Sequence, residues 1–165
     1  MKTAHDWMRL ALEEAEAARD AGEIPIGAVL VRDSRLIARD HNRKEERSDA
    51  SAHAEILVIR EAGRKEGAWR LDGAELYATA EPCFMCWGAI LEARIAVVVF
   101  GGASSNVGRL FETALLYQNG LEKRVKITGG VMEAESSALL REFFERRRSA
   151  GMPTGNHDGE VAEHG

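Results

Sequence analysis

Two short segments far apart in the chain, His53-Ala54-Glu55 and Pro82-Cys83-Phe84-Met85-Cys86, restrict the fold more than any other part of it. One imidazole and two thiols are one donor short of a closed tetrahedral metal site. A structural zinc is closed by four protein ligands, whereas a catalytic one leaves a position for water. Glu55, two residues after the histidine, is placed to move protons at that water. Both segments fall at expected helix starts, since His53 precedes an apolar-periodic stretch and Pro82 suits the beginning of a helix. Free backbone N–H groups and the positive end of the helix dipole favour thiolates and developing oxyanions there.

Other readings of the same residues are weaker. A redox Cys-x-x-Cys needs no partner histidine and glutamate in this order. A closed structural zinc needs a fourth ligand, and His5, His41, His157 and His164 lack motif spacing. The chain has only two cysteines, both in this motif, so it is no disulfide scaffold. The 165 residues fit one domain, and 45% hydrophobic content can fill a core. The apolar runs Ile26 to Val31 and Ile95 to Phe100 are too short to span a bilayer, and no apolar signal region follows Met1. A cytoplasmic protein is expected. The net charge of −5 argues mildly against a large polyanion footprint.

Along the chain, Thr3 to Ala21 reads as an amphipathic helix. A hairpin is expected around Arg32-Asp33-Ser34-Arg35, and the charged run Arg43 to Asp49 reads as a loop. A helix begins near Ala52 or His53, with a polar connection from Gly63 to Asp72. Glu75 to Thr79 reads as a strand, Cys83 to Ala93 as a helix and Ile95 to Phe100 as a strand buried on both faces. A loop from Gly101 to Asn106, a short helix near Leu110 to Tyr117, a strand at Val125 to Thr128 and a helix from Ser136 to Arg147 complete the pattern. The domain is expected to cover 1–148, with a disordered tail at 149–165. Strands alternating with helices imply an α/β layer with helices on both sheet faces. Trp87 and Phe84 read as core or dimer contacts and Trp69 as a partial surface anchor. Arg146-Arg147-Arg148 reads as stabilisation of a helix end.

The H-x-E…P-C-x-x-C arrangement is the known signature of zinc-dependent nucleobase deaminases. The chain resembles the cytidine deaminase superfamily, and within it the bacterial tRNA adenosine deaminases, from about Glu23 to Arg148. The resemblance rests on Glu23 to Val31, Asn42-Arg43, Ala52 to Ile56, Glu81 to Cys86, Gly88-Ala89, Ala93 to Ile95, Val98 to Gly101 and the last helix. It implies a three-layer α/β/α cytidine-deaminase-like fold with about five strands in a mixed sheet. It also implies a homodimer and one Zn2+ per subunit, held by His53, Cys83 and Cys86. Glu55 would be the catalytic proton carrier, and Asn42 would reach the base or sugar. Ile26 and Ala54 would wall the pocket. The implied activity is hydrolytic deamination, most like tRNA wobble adenosine to inosine, on the tRNA anticodon arm. The chain departs from the tRNA enzymes at Gly102 to Arg109, at Glu122-Lys123 and at Ser136. With the net charge, these departures motivate an alternative substrate: a free nucleobase or nucleoside such as guanine, cytosine or adenosine. A non-catalytic zinc-stabilised subunit is a third possibility, against which the intact Glu55 argues.

Overall fold

Thr3 starts the first helix with a reciprocal cap. Its side chain accepts from the Asp6 N–H at 3.3 Å, and the Asp6 carboxylate accepts from the Thr3 N–H at 2.7 Å. The resulting helix is α1 (Ala4–Asp20) in the computed structural model, which describes residues 2–102 and 124–152. Strands β1 (Gly27–Arg32) and β2 (Arg35–His41) follow as the expected hairpin. Asp33 and Ser34 both take positive φ, 53° and 58°, which matches the right-handed twist of a two-residue hairpin turn. The remaining elements are α2 (Lys44–Arg47), α3 (Ala54–Glu66), β3 (Glu75–Ala80), α4 (Phe84–Glu92), β4 (Val97–Gly102), β5 (Lys126–Thr128) and α5 (Glu133–Ser149).

The five strands form one mixed sheet in the order β2-β1-β3-β4-β5. β1 is antiparallel to both β2 and β3, whereas β3, β4 and β5 run parallel. Alternation along the strands divides the core into two. Ala28, Leu30, Leu76, Ala78, Val98 and Phe100 pack with α3 and α4, including the fully buried Trp87. Val29, Val31, Tyr77 and Val99 face Trp7, Met8 and Ala11 of α1. α5 lies along β4 and touches α1, so helices cover both faces as expected. A β-carbon at Gly27 would fall on the Ala11 carbonyl oxygen, so only glycine allows α1 to approach the start of β1 this closely. Among the described residues no helix is long and apolar enough to cross a membrane.

Several boundaries differ from the expectation. Arg43 to Asp49 contains a helical turn, α2, because the carboxylate of Glu23 accepts from the Glu46 N–H at 2.8 Å. α3 runs through Gly63 to Glu66, and the connection starts only at Gly67 with φ 63°. Arg64, Lys65 and Glu66 are polar but bonded: Arg64 to Glu61 at 2.7 Å, Lys65 to the Ile37 carbonyl at 2.9 Å, and Glu66 to Arg32. β4 begins at Val97 rather than Ile95. Arg94 takes φ 63°, and the Arg94 and Ile95 N–H groups return to the carbonyls of Leu91 and Ile90, closing α4. Trp69 is no anchor: it is 66% exposed, with the Arg70 guanidinium 6.0 Å from its ring centre. Phe84 is 45% exposed and so belongs to no core, whereas Trp87 does. Ser149 is still helical in α5. The expected loop beyond Gly102, the helix near Leu110 to Tyr117 and the tail from 153 onward lie outside the described residues.

Candidate active site

The sheet topology explains why the two sequence segments meet. Two antiparallel steps, β2 to β1 and β1 to β3, make β2 and β3 point the same way. The chain therefore leaves both strands at one end of the sheet, and α3 and α4 begin there. His53 is the N-cap of α3 (φ −77°, ψ 149°) and Cys83 the N-cap of α4 (φ −75°, ψ 174°). Neither side chain makes a capping hydrogen bond; both point instead to a shared corner.

At that corner His53 Nδ1, Cys83 Sγ and Cys86 Sγ form a triangle with every side 3.6 Å. A tetrahedral zinc with ordinary bond lengths separates a nitrogen and a sulfur ligand by roughly 3.6 Å, and two sulfurs by about 3.8 Å. The three donors fit such an ion without rearrangement. A sulfur separation of 3.6 Å is far beyond a disulfide bond of ~2.05 Å, and both cysteines are free. The redox-pair reading leaves His53 unexplained, whose Nδ1 stands 3.6 Å from both sulfurs.

Hydrogen bonds among the three donors, with burial, shift their acidities in opposite directions. Cys83 is held down to about 3, chiefly by the hydrogen bond from Cys86 and then, against burial, by His53. The Cys86 amide also favours the thiolate, although it lies outside capping geometry. Cys86 is pushed up correspondingly, as the donor to Cys83 and by its own burial. His53 is raised by its hydrogen bond to Cys83. Glu55 sits buried in the first turn of α3, and desolvation pushes its carboxyl up to about 7. A carboxyl poised near neutrality can both take and return a proton.

A cavity of about 90 Å³ opens onto this corner. His53, Ala54, Glu55 and Cys83 line it together with Ile26 and Asn42. The structure thus gathers all the sequence-selected residues: six line the cavity, and Cys86 lies buried beneath. Ile24, Lys44, Glu81, Leu140 and Phe144 also line it and were not singled out from the sequence for that role. Leu140 and Phe144 belonged to the apolar periodicity of the last helix, which does not distinguish core from pocket. Glu23 stands in the sequence only as the start of the resembling segment Glu23 to Val31, since a lone glutamate after a helix does not by itself specify a contact.

A second group, Glu14, Asp40 and His41, also brings ligand atoms within 4.8 Å of one another. Each of its acids already holds an arginine: Arg39 binds Glu14, and Arg43 binds Asp40 at 2.7 Å. It is a charge-compensated brace between α1 and β2.

The comparisons with known proteins agree with the site. A family model described as MafB19-like deaminase matches residues 2–148. A tRNA-specific adenosine deaminase of Bacillus subtilis is 43% identical over 86% of this chain and 89% of its own length. One from Agrobacterium fabrum is 44% identical over 86% of this chain and 94% of its own. A solved structure from work on A-to-I editing by tRNA:A34 deaminases is 43% identical and superposes with a TM-score of 0.74, covering 81% of this chain and 98% of that one. The guanine deaminase of Nitrosomonas europaea has the same TM-score of 0.74 at 28% identity, covering 87% of this chain and 85% of its own. The chain belongs to the MafB19-like deaminase family, on the branch of the tRNA-specific adenosine deaminases.

Proposed function

We propose that the protein is a zinc-dependent hydrolase that converts adenosine to inosine at the wobble position of tRNA. The observation that carries the chemistry is the 3.6 Å triangle of His53, Cys83 and Cys86 beside the buried carboxyl of Glu55. The high identity to tRNA-specific adenosine deaminases supports the substrate.

When bound by His53, Cys83 and Cys86, zinc would supply a Lewis acid that makes water acidic near neutral pH. Glu55 takes a proton from the attacking water. The oxygen adds to the ring carbon that bears the amine. Glu55 gives the proton to the adjacent ring nitrogen, and a second transfer through the same carboxyl lets the amine depart as ammonia. One water is consumed, and an exocyclic C–N bond is exchanged for a carbonyl. Asn42 holds the base or sugar, while Ile26 and Ala54 flank the ring and keep bulk water out. Residues 1–148 carry this activity, and the enzyme works in the cytoplasm, where its tRNA substrate is. A homodimer is part of the proposal: Phe84 and Met85, 45% and 39% exposed on the outer side of α4, form an apolar patch suited to a second copy.

The test is incubation of purified protein with an anticodon stem-loop, followed by nucleoside mass spectrometry. Inosine at the wobble position is expected. No inosine, with ammonia released from a free aminopurine or aminopyrimidine in a parallel panel, would transfer the assignment to a small-molecule deaminase.

A further inference from the structure

Against Asn42 of the cavity wall stands a buried acidic side chain that the chemistry above does not use. Glu23 is 1% exposed, in the segment between α1 and β1. Its backbone N–H bonds the Ala18 carbonyl at 2.9 Å, which fixes it to the end of α1. One carboxylate oxygen accepts from Asn42 Nδ2 at 3.1 Å, and the other from the Glu46 N–H at 2.8 Å. An ionised carboxylate has no proton to give. The Asn42 amide therefore cannot turn over without setting its own oxygen against a carboxylate oxygen in a buried place.

We infer that Glu23 is a positioning residue for substrate recognition: it holds the Asn42 amide in one orientation, nitrogen toward Glu23 and oxygen away, and braces α2, which carries Lys44 to the cavity. A free asparagine presents either end of its amide and so discriminates poorly between donors and acceptors. An asparagine held by a carboxylate offers the ligand a defined pattern, with its oxygen as the acceptor. The second carboxylate contact couples this amide to α2, so one buried side chain sets two parts of the cavity wall. This inference rests on the proposed substrate-contact role of Asn42.

The test is a four-protein cycle: wild type, Glu23→Gln, Asn42→Asp and the double variant. Glutamine has the shape of glutamate but only one oxygen, so it meets one of its two donors with an N–H. Glu23→Gln is expected to reduce kcat/KM roughly ten- to a hundred-fold, mainly through KM, with metal content unchanged. Asn42→Asp sets two carboxylates face to face and is expected to lose more. In the double variant the new amide donates to the new carboxylate, which again directs an oxygen away from position 23, so kcat/KM recovers above that of Asn42→Asp. Kd for the stem-loop, titrated in a Glu55→Ala background, should follow the same order without any turnover. If the wild type deaminates a free base in place of the stem-loop, the cycle is run on that base. If it turns over nothing, the functional reading fails, and the melting temperatures of the four proteins decide the pairing alone: they should be strongly non-additive. Glu23→Gln matching the wild type in kcat/KM and Kd, or a double variant no better than the sum of its parts, would overturn the inference.

Discussion

The first helix and the two site helices begin in opposite ways. At α1, Thr3 and Asp6 satisfy each other's backbone amides, and Asp6 also pairs with Arg9 on the exposed face at 3.6 Å. At α3 and α4 the N-cap residues are His53 and Cys83, which make no capping hydrogen bond and turn toward a shared corner with Cys86. A good cap stabilises a helix by about 1 kcal/mol. The site helices forgo that local contribution, and the same open amides then favour thiolate and anion at the corner. In one protein, equivalent positions serve the helix itself at α1 and the proposed metal site at α3 and α4.

The sharpest break of this contrast is at Glu55. Glu55→Ala should lower turnover by about 10²- to 10⁴-fold while elemental analysis still finds one metal per chain, because the glutamate is not a ligand. Survival of activity would refute the proton-carrier role. Next is removal of the metal. Zinc at a thousand-fold excess over its Kd contributes about 4 kcal/mol, so chelation should lower the melting temperature by on the order of 10 °C for a domain of this size. An unchanged melting curve would mean that the triangle holds nothing. Third, Thr3→Ala should cost about 1 kcal/mol, roughly 2–4 °C, with kcat and KM unchanged. A change in kcat would show that α1 is coupled to the chemistry after all. The smallest effect is the most discriminating. Serine is a good N-cap and a poor soft ligand, so Cys83→Ser should destabilise the zinc-loaded protein yet stabilise the metal-free one by about 0.5–1 kcal/mol. Equal signs in calorimetry with and without chelator would contradict the idea that the ligand displaced a cap.

Much of this arrangement was legible from residue order. Cys83 and Cys86 sit at the N-cap and third position of one helix, and His53 and Glu55 at the N-cap and second position of another. These offsets lie within a single turn, where sequence spacing is spatial spacing. The hairpin at Asp33-Ser34 is local in the same sense. The last helix was readable only in part. Leu139, Leu140, Phe143 and Phe144 share its apolar character, but Phe143 is buried with its ring 5.5 Å from that of Phe144, while Leu140 and Phe144 line the cavity. Nothing within the helix distinguishes the two roles, because they depend on what stands opposite. The one-turn α2 was missed for a related reason, since its amide acceptor, Glu23, comes from a distant part of the chain.

Residue order alone determined the donor set, the acid beside it and the helix starts that carry them, because each depends on contacts a few residues apart. That the two starts face each other, that Asn42 is gripped by Glu23, and that Leu140 and Phe144 line the cavity were decided by tertiary structure. The physical reason is strand direction: two antiparallel pairings turn β2 and β3 the same way, and only the assembled sheet brings their carboxyl ends to one edge.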